Sequence, residues 1–69
     1  MDYLVVFEQG PDSIGAYIPD LPGCVAVGTS LSEVRTLMRE ALLMHIEGLR
    51  DDGESLPLPT TSAAIMAVS

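Results

Sequence analysis

The stretch Ile14-Gly-Ala-Tyr-Ile-Pro-Asp-Leu-Pro-Gly-Cys-Val-Ala-Val-Gly28 decides the fold. From Ile14 to Ile18 its apolar side chains alternate, which is the period of a β-strand with one buried face. Prolines at 19 and 22 end that strand, because proline lacks the backbone N–H that a central strand must donate. The segment from Cys24 to Gly28 has the composition of the next strand. A connection this short favours an antiparallel pair.

The residues before this stretch predict one further strand. Tyr3 to Phe7 is a β-branched and aromatic run, and the turn-forming residues Gln9 to Ser13 follow it. The three predicted strands therefore form a meander.

The residues after it predict a long helix. Ser30 and Glu33 have the spacing of a capping box, in which each side chain bonds the other residue's backbone N–H. Apolar residues and one histidine then recur at helical spacing: Val34, Leu37, Met38, Ala41, Leu42, His45 and Leu49. Asp51, Asp52 and Gly53 end the helix, and the prolines that follow prevent it from resuming. The apolar residues of segment 62–69 favour a fourth strand over a short terminal helix.

The predicted fold is therefore α+β, in the order β-β-β-α-β. A three-stranded antiparallel meander and a fourth strand carry one long helix on one face, within a single domain over residues 1–69. The other face of the sheet is left bare, which predicts a partner there.

Composition limits the function. The chain has 69 residues and a net charge of -7, with ten acidic residues against three arginines. Such a charge repels phosphate, so we expect no direct binding to nucleic acid and none to an anionic membrane. The sequence contains neither an apolar run long enough to span a membrane nor a signal peptide, which favours the cytoplasm. Because a chain of this length is marginally stable and its single cysteine cannot form an internal disulfide, we expect a homo-oligomer.

Catalytic patterns are weak. His45 lies in the apolar stripe of the helix, and Cys24 has no activating neighbour in the sequence, so both favour packing roles. A magnesium-dependent nuclease site from Glu8, Asp20 and Glu40 is conceivable, since Mg²⁺ prefers carboxylates. Nothing in their spacing requires it. We predict no enzyme activity, no catalytic residue, no cofactor and no metal site.

Two segments predict contacts with other proteins. The first is the loop from Pro19 to Gly23, in which two prolines restrict the backbone so that Asp20, Leu21 and Pro22 form a preorganised surface for a partner. A plain strand connection explains the same loop equally well. The second is a pair of aliphatic side chains, Leu43 and Ile46, on the otherwise polar side of the helix. They are candidates for an oligomer interface.

The same segments carry a family resemblance. The run Pro19-Asp-Leu-Pro-Gly-Cys24, the cap Gly28 to Glu33 and the helix exit Asp52-Gly-Glu54 followed by Leu56-Pro-Leu-Pro59 occur in one order. Together they resemble the HicB-like antitoxin family of type II toxin–antitoxin systems. The match covers the N-terminal domain only, without the usual C-terminal DNA-binding domain. The resemblance implies a partial ribonuclease-H-like fold that lacks ribonuclease activity.

The resemblance also implies a function. HicB proteins neutralise HicA, a small basic ribonuclease toxin with a catalytic histidine, by covering the surface that holds RNA. An acidic chain suits a basic toxin, because opposite charges speed encounter. The alternative is an orphan homo-oligomeric HicB-like module that belongs to no toxin pair.

Overall fold

The computed structural model describes residues 1–68, which form three strands and one helix. The elements are β1 (Val6–Gln9), β2 (Ile14–Tyr17), β3 (Val25–Gly28) and α1 (Leu31–Asp51). The strands form one antiparallel sheet in the order β1-β2-β3. The predicted α+β class and the order of three strands and a long helix are confirmed.

The register of the sheet separates two faces. Phe7 lies opposite Ala16, and Ala16 lies opposite Ala26, so these three side chains share the face that carries α1. Val6, Tyr17 and Val25 form the neighbouring row on the other face, since successive side chains of a strand alternate. The core lies between the first face and the helix.

The backbone of helix α1 lies close to β2 and β3 and farther from β1. The small residues Ala16, Ala26 and Gly28 allow the helix to approach these two strands. Val34 and Met38 fill the space, with 0% and 3% of their surfaces exposed. Phe7, on β1, remains 38% exposed. The helix is therefore displaced to one side of the sheet.

The helix ends are capped as the sequence predicts, with one difference. The Glu33 backbone N–H donates to the Ser30 Oγ at 3.1 Å. The Glu33 carboxylate accepts from the Thr29 N–H at 2.8 Å, one residue earlier than the standard capping box. At the other end, Gly53 has φ +72°. Hydrogen bonds from the Gly53 N–H to Arg50 O and from the Glu54 N–H to Leu49 O complete a Schellman motif.

The predicted fourth strand over residues 62–69 is not formed. Residues 62–68 have no strand structure, and Ser69 lies outside the described residues. Ile65, Met66 and Val68 are 103%, 84% and 96% exposed. In this segment little apolar burial offsets the conformational entropy that strand formation costs.

We predict that Gly28→Ala destabilises the protein. A Cβ at this position would overlap the Glu33 carboxylate and lie 2.9 Å from Val34 Cγ2. The cap of α1 would have to shift, at a cost of about 1–3 kcal/mol in the free energy of unfolding. Urea unfolding measures this. Gly15→Ala is the matched control, because a Cβ there meets nothing within 4 Å. Equal effects of the two substitutions would contradict the close approach of α1 to β3.

Candidate interaction surfaces

The loop from Pro19 to Gly23 consists of two successive turns. The Leu21 N–H donates to Ile18 O at 3.0 Å, and the Cys24 N–H donates to Leu21 O at 3.1 Å. The second turn has Pro22 and then Gly23, whose φ of +89° fits the third position of a type II turn. Both turns contain a proline, as the sequence led us to expect.

These turns direct Leu21 into the protein. Leu21 is 1% exposed and belongs to the core together with Ile18 and Cys24. This corrects the expectation that Leu21 is presented to a partner. Burial in the core stabilises an apolar side chain, whereas exposure to water does not. Pro22 is exposed and stays available for contact.

Asp20 holds the segment that follows the helix. Its carboxylate accepts hydrogen bonds from the backbone N–H and the hydroxyl of both Thr60 and Thr61, at 2.8–3.2 Å. The Thr61 hydroxyl is the main cause that lowers the pKa of Asp20 from its ordinary value of 3.8, against a smaller opposing effect of burial. Nearby, the Tyr3 hydroxyl donates to Pro57 O. Asp20 therefore makes internal contacts, a role that the sequence did not predict.

We predict that Asp20→Asn weakens the attachment of Thr60 and Thr61 to the loop that contains residue 20. An amide cannot accept all of these hydrogen bonds, so amide hydrogen exchange at Thr60 and Thr61 should accelerate. Because the pKa of Asp20 is lower in the folded state, the contact is present above its unfolded pKa. It is lost as the pH falls through the folded value.

A matched control is Asp12→Asn, in the β1–β2 turn, where exchange at residues 60 and 61 should not change. Unaltered exchange in the Asp20 variant would show that the threonines do not depend on this carboxylate.

The candidate catalytic and metal residues are not assembled. Within residues 1–68, no group of three or more His, Cys, Asp or Glu side chains could hold a metal ion, so Glu8, Asp20 and Glu40 do not meet. Cys24 is 2% exposed. Burial raises the pKa of its thiol, which favours the neutral form.

The outer surface of α1 divides by charge. With about 3.6 residues per turn, Arg35, Arg39 and Arg50 lie on one side of the helix, together with Ile46. These are all the arginines of the chain. We call this side the arginine side; Arg35 and Arg39 lie beside Phe7 of β1. The acidic side carries four carboxylates, namely Glu33, Glu40, Glu47 and Asp51. Sequence reasoning missed this division, although the spacing of the arginines contains it.

The two predicted aliphatic residues lie on or beside the arginine side. Leu43 is 58% exposed and Ile46 is half-buried. The prediction that Leu43 lies outside the core is confirmed, whereas Ile46 is partly covered. Whether they form an oligomer interface stays a prediction.

The sheet face away from the helix is apolar and open. Val25 is 59% exposed, Val27 65% and Tyr17 38%, and Val6 lies beside them. Glu8 is the charged residue that the strands place on this face. We call it the open sheet face. The bare face that the sequence predicted is thereby confirmed.

The comparisons with known proteins agree with this architecture. Residues 3–69 match the model of the family described as HicB-like antitoxin of bacterial toxin–antitoxin systems. The chain belongs to the HicB-like antitoxin family. The resemblance found in the sequence is thus confirmed over almost the whole chain.

Two known proteins are similar to this chain. A protein of Haemophilus phage HP1 (strain HP1c1), described as an uncharacterized 14.9 kDa protein in the rep-hol intergenic region, is 40% identical over 57 residues. These residues are 83% of this chain and 43% of the phage protein, so this chain spans less than half the length of that relative. A solved chain of the HicA3 and HicB3 toxin–antitoxin complex superimposes with a TM-score of 0.71 at 28% identity. The alignment covers 87% of this HicB-like chain and 70% of the solved chain.

Within the described part of the chain, no helix is both long and apolar enough to cross a bilayer.

Proposed function

We propose that this protein is an antitoxin domain that binds and neutralises a small basic HicA-type ribonuclease toxin. Its family membership and its likeness to a chain of a toxin–antitoxin complex are the observations that carry the proposal. Inhibition would consist of covering the toxin's RNA-binding and catalytic surface, without catalysis by this chain. A ribonuclease toxin acts where cellular RNA is, so the proposed compartment is the cytoplasm.

Charge supports a basic partner. The acidic side of α1 presents exposed carboxylates at Glu40, Glu47 and Asp51, and the helix exit adds Asp52 and Glu54. A protein that binds RNA displays cations that this row of carboxylates can match. We therefore place the toxin on the acidic side of α1. Pro22 is the part of the Pro19–Gly23 loop that is exposed for an additional contact.

The direct test is co-expression with a small basic toxin encoded next to this gene. We expect the two proteins to co-purify, and growth arrest by the toxin to be relieved. A neighbouring toxin that arrests growth and shows no binding at micromolar concentration would contradict the proposal.

Variants in which amides replace carboxylates test whether the toxin contacts the acidic side of α1. Glu40→Gln with Glu47→Gln should slow association with the toxin about tenfold at low salt, since steering depends on nearby charge. Glu8→Gln with Asp12→Asn is the matched control, because either pair changes the net charge from -7 to -5, two carboxylates fewer. Stopped-flow fluorescence measures the rates. Equal slowing by both pairs would assign the effect to net charge and not to the acidic side of α1.

The second candidate is an orphan homo-oligomeric module outside any toxin pair. The open sheet face favours it, because Val25 and Val27 expose apolar surface on a face with little charge. Two acidic copies repel each other least where they meet through such a surface. Leu43 and Ile46 offer a second apolar contact on another side of the molecule. A chain with two separate contacts assembles beyond a dimer.

For this self-association, we predict that Leu43→Ser with Ile46→Ser reduces the oligomer to a dimer. Adding Val25→Thr and Val27→Thr should then leave a monomer, as measured by light scattering after gel filtration. Met44→Ser is the control, since Met44 is 72% exposed on another side of the helix. A molar mass that does not change in the quadruple variant would exclude both contacts.

A further inference from the structure

A row of exposed residues runs along the acidic side of α1. Its members recur at alternating steps of three and four positions, which places them on one face of the helix: Leu37, Glu40, Met44, Glu47 and Asp51. We call these residues the outer row. All five are exposed. At 1.5 Å of rise per residue, the outer row is about 21 Å long.

Two apolar side chains alternate with carboxylates in the outer row. Met44 is 72% exposed and Leu37 is 37% exposed. A single exposed apolar residue is ordinary on a protein surface. Here the two lie two helical turns apart on one face, with Glu40 between them, so they form a repeating pattern. Methionine is unbranched and flexible, and it therefore adapts well to the surface of a bound protein.

The charges of α1 are arranged in a way that does not stabilise the helix itself. A carboxylate on a helix is stabilised by a basic residue three or four positions away. Glu40 and Asp51 have no such neighbour, and Glu47 and Asp51 are like charges four positions apart. Arg35 and Arg39 have the same unfavourable spacing on the other side. The outer row thus keeps its carboxylates for the basic groups of another molecule.

We propose that the outer row is the docking site for a basic amphipathic helix of the partner protein, which packs along α1. Two helices pack together when side chains spaced three and four residues apart interlock. Apolar side chains of the partner's helix would contact Leu37 and Met44, and its lysines or arginines would pair with the carboxylates between and beyond them. The inference rests on the proposed antitoxin function for the identity of this partner. It adds the element that the toxin presents and two apolar contacts that charge alone does not supply.

A second copy of this chain is a poorer occupant of the outer row. The arginine side of α1 also combines cations with apolar side chains, namely Arg39, Leu43, Ile46 and Arg50. Each copy carries a net charge of -7, however, so two copies repel each other as they approach. A basic protein is attracted by the same field.

The test uses the full chain and three end-blocked, fluorescently labelled peptides. The probe Lys-Ala-Ala-Leu-Ala-Gln-Ala-Lys-Ala-Ala-Leu-Ala-Gln-Ala-Lys places its lysines and leucines on one side of a helix. The isomer Ala-Lys-Ala-Leu-Ala-Lys-Ala-Gln-Ala-Ala-Leu-Ala-Lys-Ala-Gln has the same composition and charge but places its lysines opposite its leucines. In the third peptide, glutamates replace the lysines of the probe. We expect the probe to bind about fivefold more tightly than the isomer and the glutamate peptide not to bind, as measured by fluorescence anisotropy.

Serine variants then locate the contact. Leu37→Ser and Met44→Ser should each weaken binding of the probe about fivefold. Leu43→Ser is the matched control and should leave binding unchanged, because Leu43 is 58% exposed on the same helix but lies outside the outer row. Circular dichroism verifies that each variant is folded. If Leu37→Ser unfolds the chain, Leu37→Ala removes most of the side chain and favours the helix.

Three results would overturn the proposal. They are equal binding of the probe and its isomer, no binding of the probe, and an equal effect of the three serine variants. A molar mass that falls in both the Met44→Ser and the Arg39→Glu variants would assign the outer row to a second copy, and this too would overturn it.

The toxin is absent from these assays, so their failure leaves the antitoxin proposal unaffected. A probe that binds as expected beside a neighbouring toxin that does not bind would support the outer row and contradict the antitoxin function.

Discussion

The packing of α1 on small residues of β2 and β3 is the constraint on which the other features depend. Ala16, Ala26 and Gly28 leave room for the helix, and Val34 and Met38 fill that room with almost no exposed surface. A helix is only about 10 Å wide, so it cannot also cover a third strand. Its position over two strands leaves β1 beside an open groove and gives each side of the helix a different environment.

This asymmetry gives the charge pattern its significance. The net charge of -7 hides a local separation of charge, because all three arginines lie on one side of α1. Two of them, Arg35 and Arg39, line the groove beside β1. The acidic side points away from the groove and suits a basic protein. On the arginine side, Arg35 and Arg39 line an apolar groove. One long helix thus separates two surfaces of opposite charge.

Much of the fold could be predicted because its signals are local. The alternation in β2, the prolines that end it and the Ser30 cap act over a few residues, so β2, β3 and the helix lie close to their predicted places. The first strand was predicted over Tyr3 to Phe7, but it begins three residues later and includes Gln9. The side-chain directions in the loop from Pro19 to Gly23 were harder to predict. The rigidity of the loop follows from proline and glycine, but the direction of Leu21 depends on whether a core exists beneath the loop.

Two further differences between the predicted and the observed structure also depend on contacts between residues that are distant in the chain. Asp20 looks like a free surface charge in the sequence, and only the return of Thr60 and Thr61 from beyond the helix converts it into an internal acceptor. The apolar content of segment 62–68 predicts a strand, yet strand formation requires a paired edge as well as propensity.

The sequence by itself determined the order of the elements, the helix caps, the acidic charge and the family resemblance. These properties depend on residues that are close in the chain or on the amino-acid composition. Only the tertiary structure decided which side chains are buried and where the charges meet. It placed Leu21 in the core, bound Asp20 to two threonines and brought Arg35 and Arg39 to the rim of an apolar groove. These outcomes depend on the position of α1 relative to the sheet. That position is set by the packing of residues distant in the chain, and no local signal in the sequence encodes it.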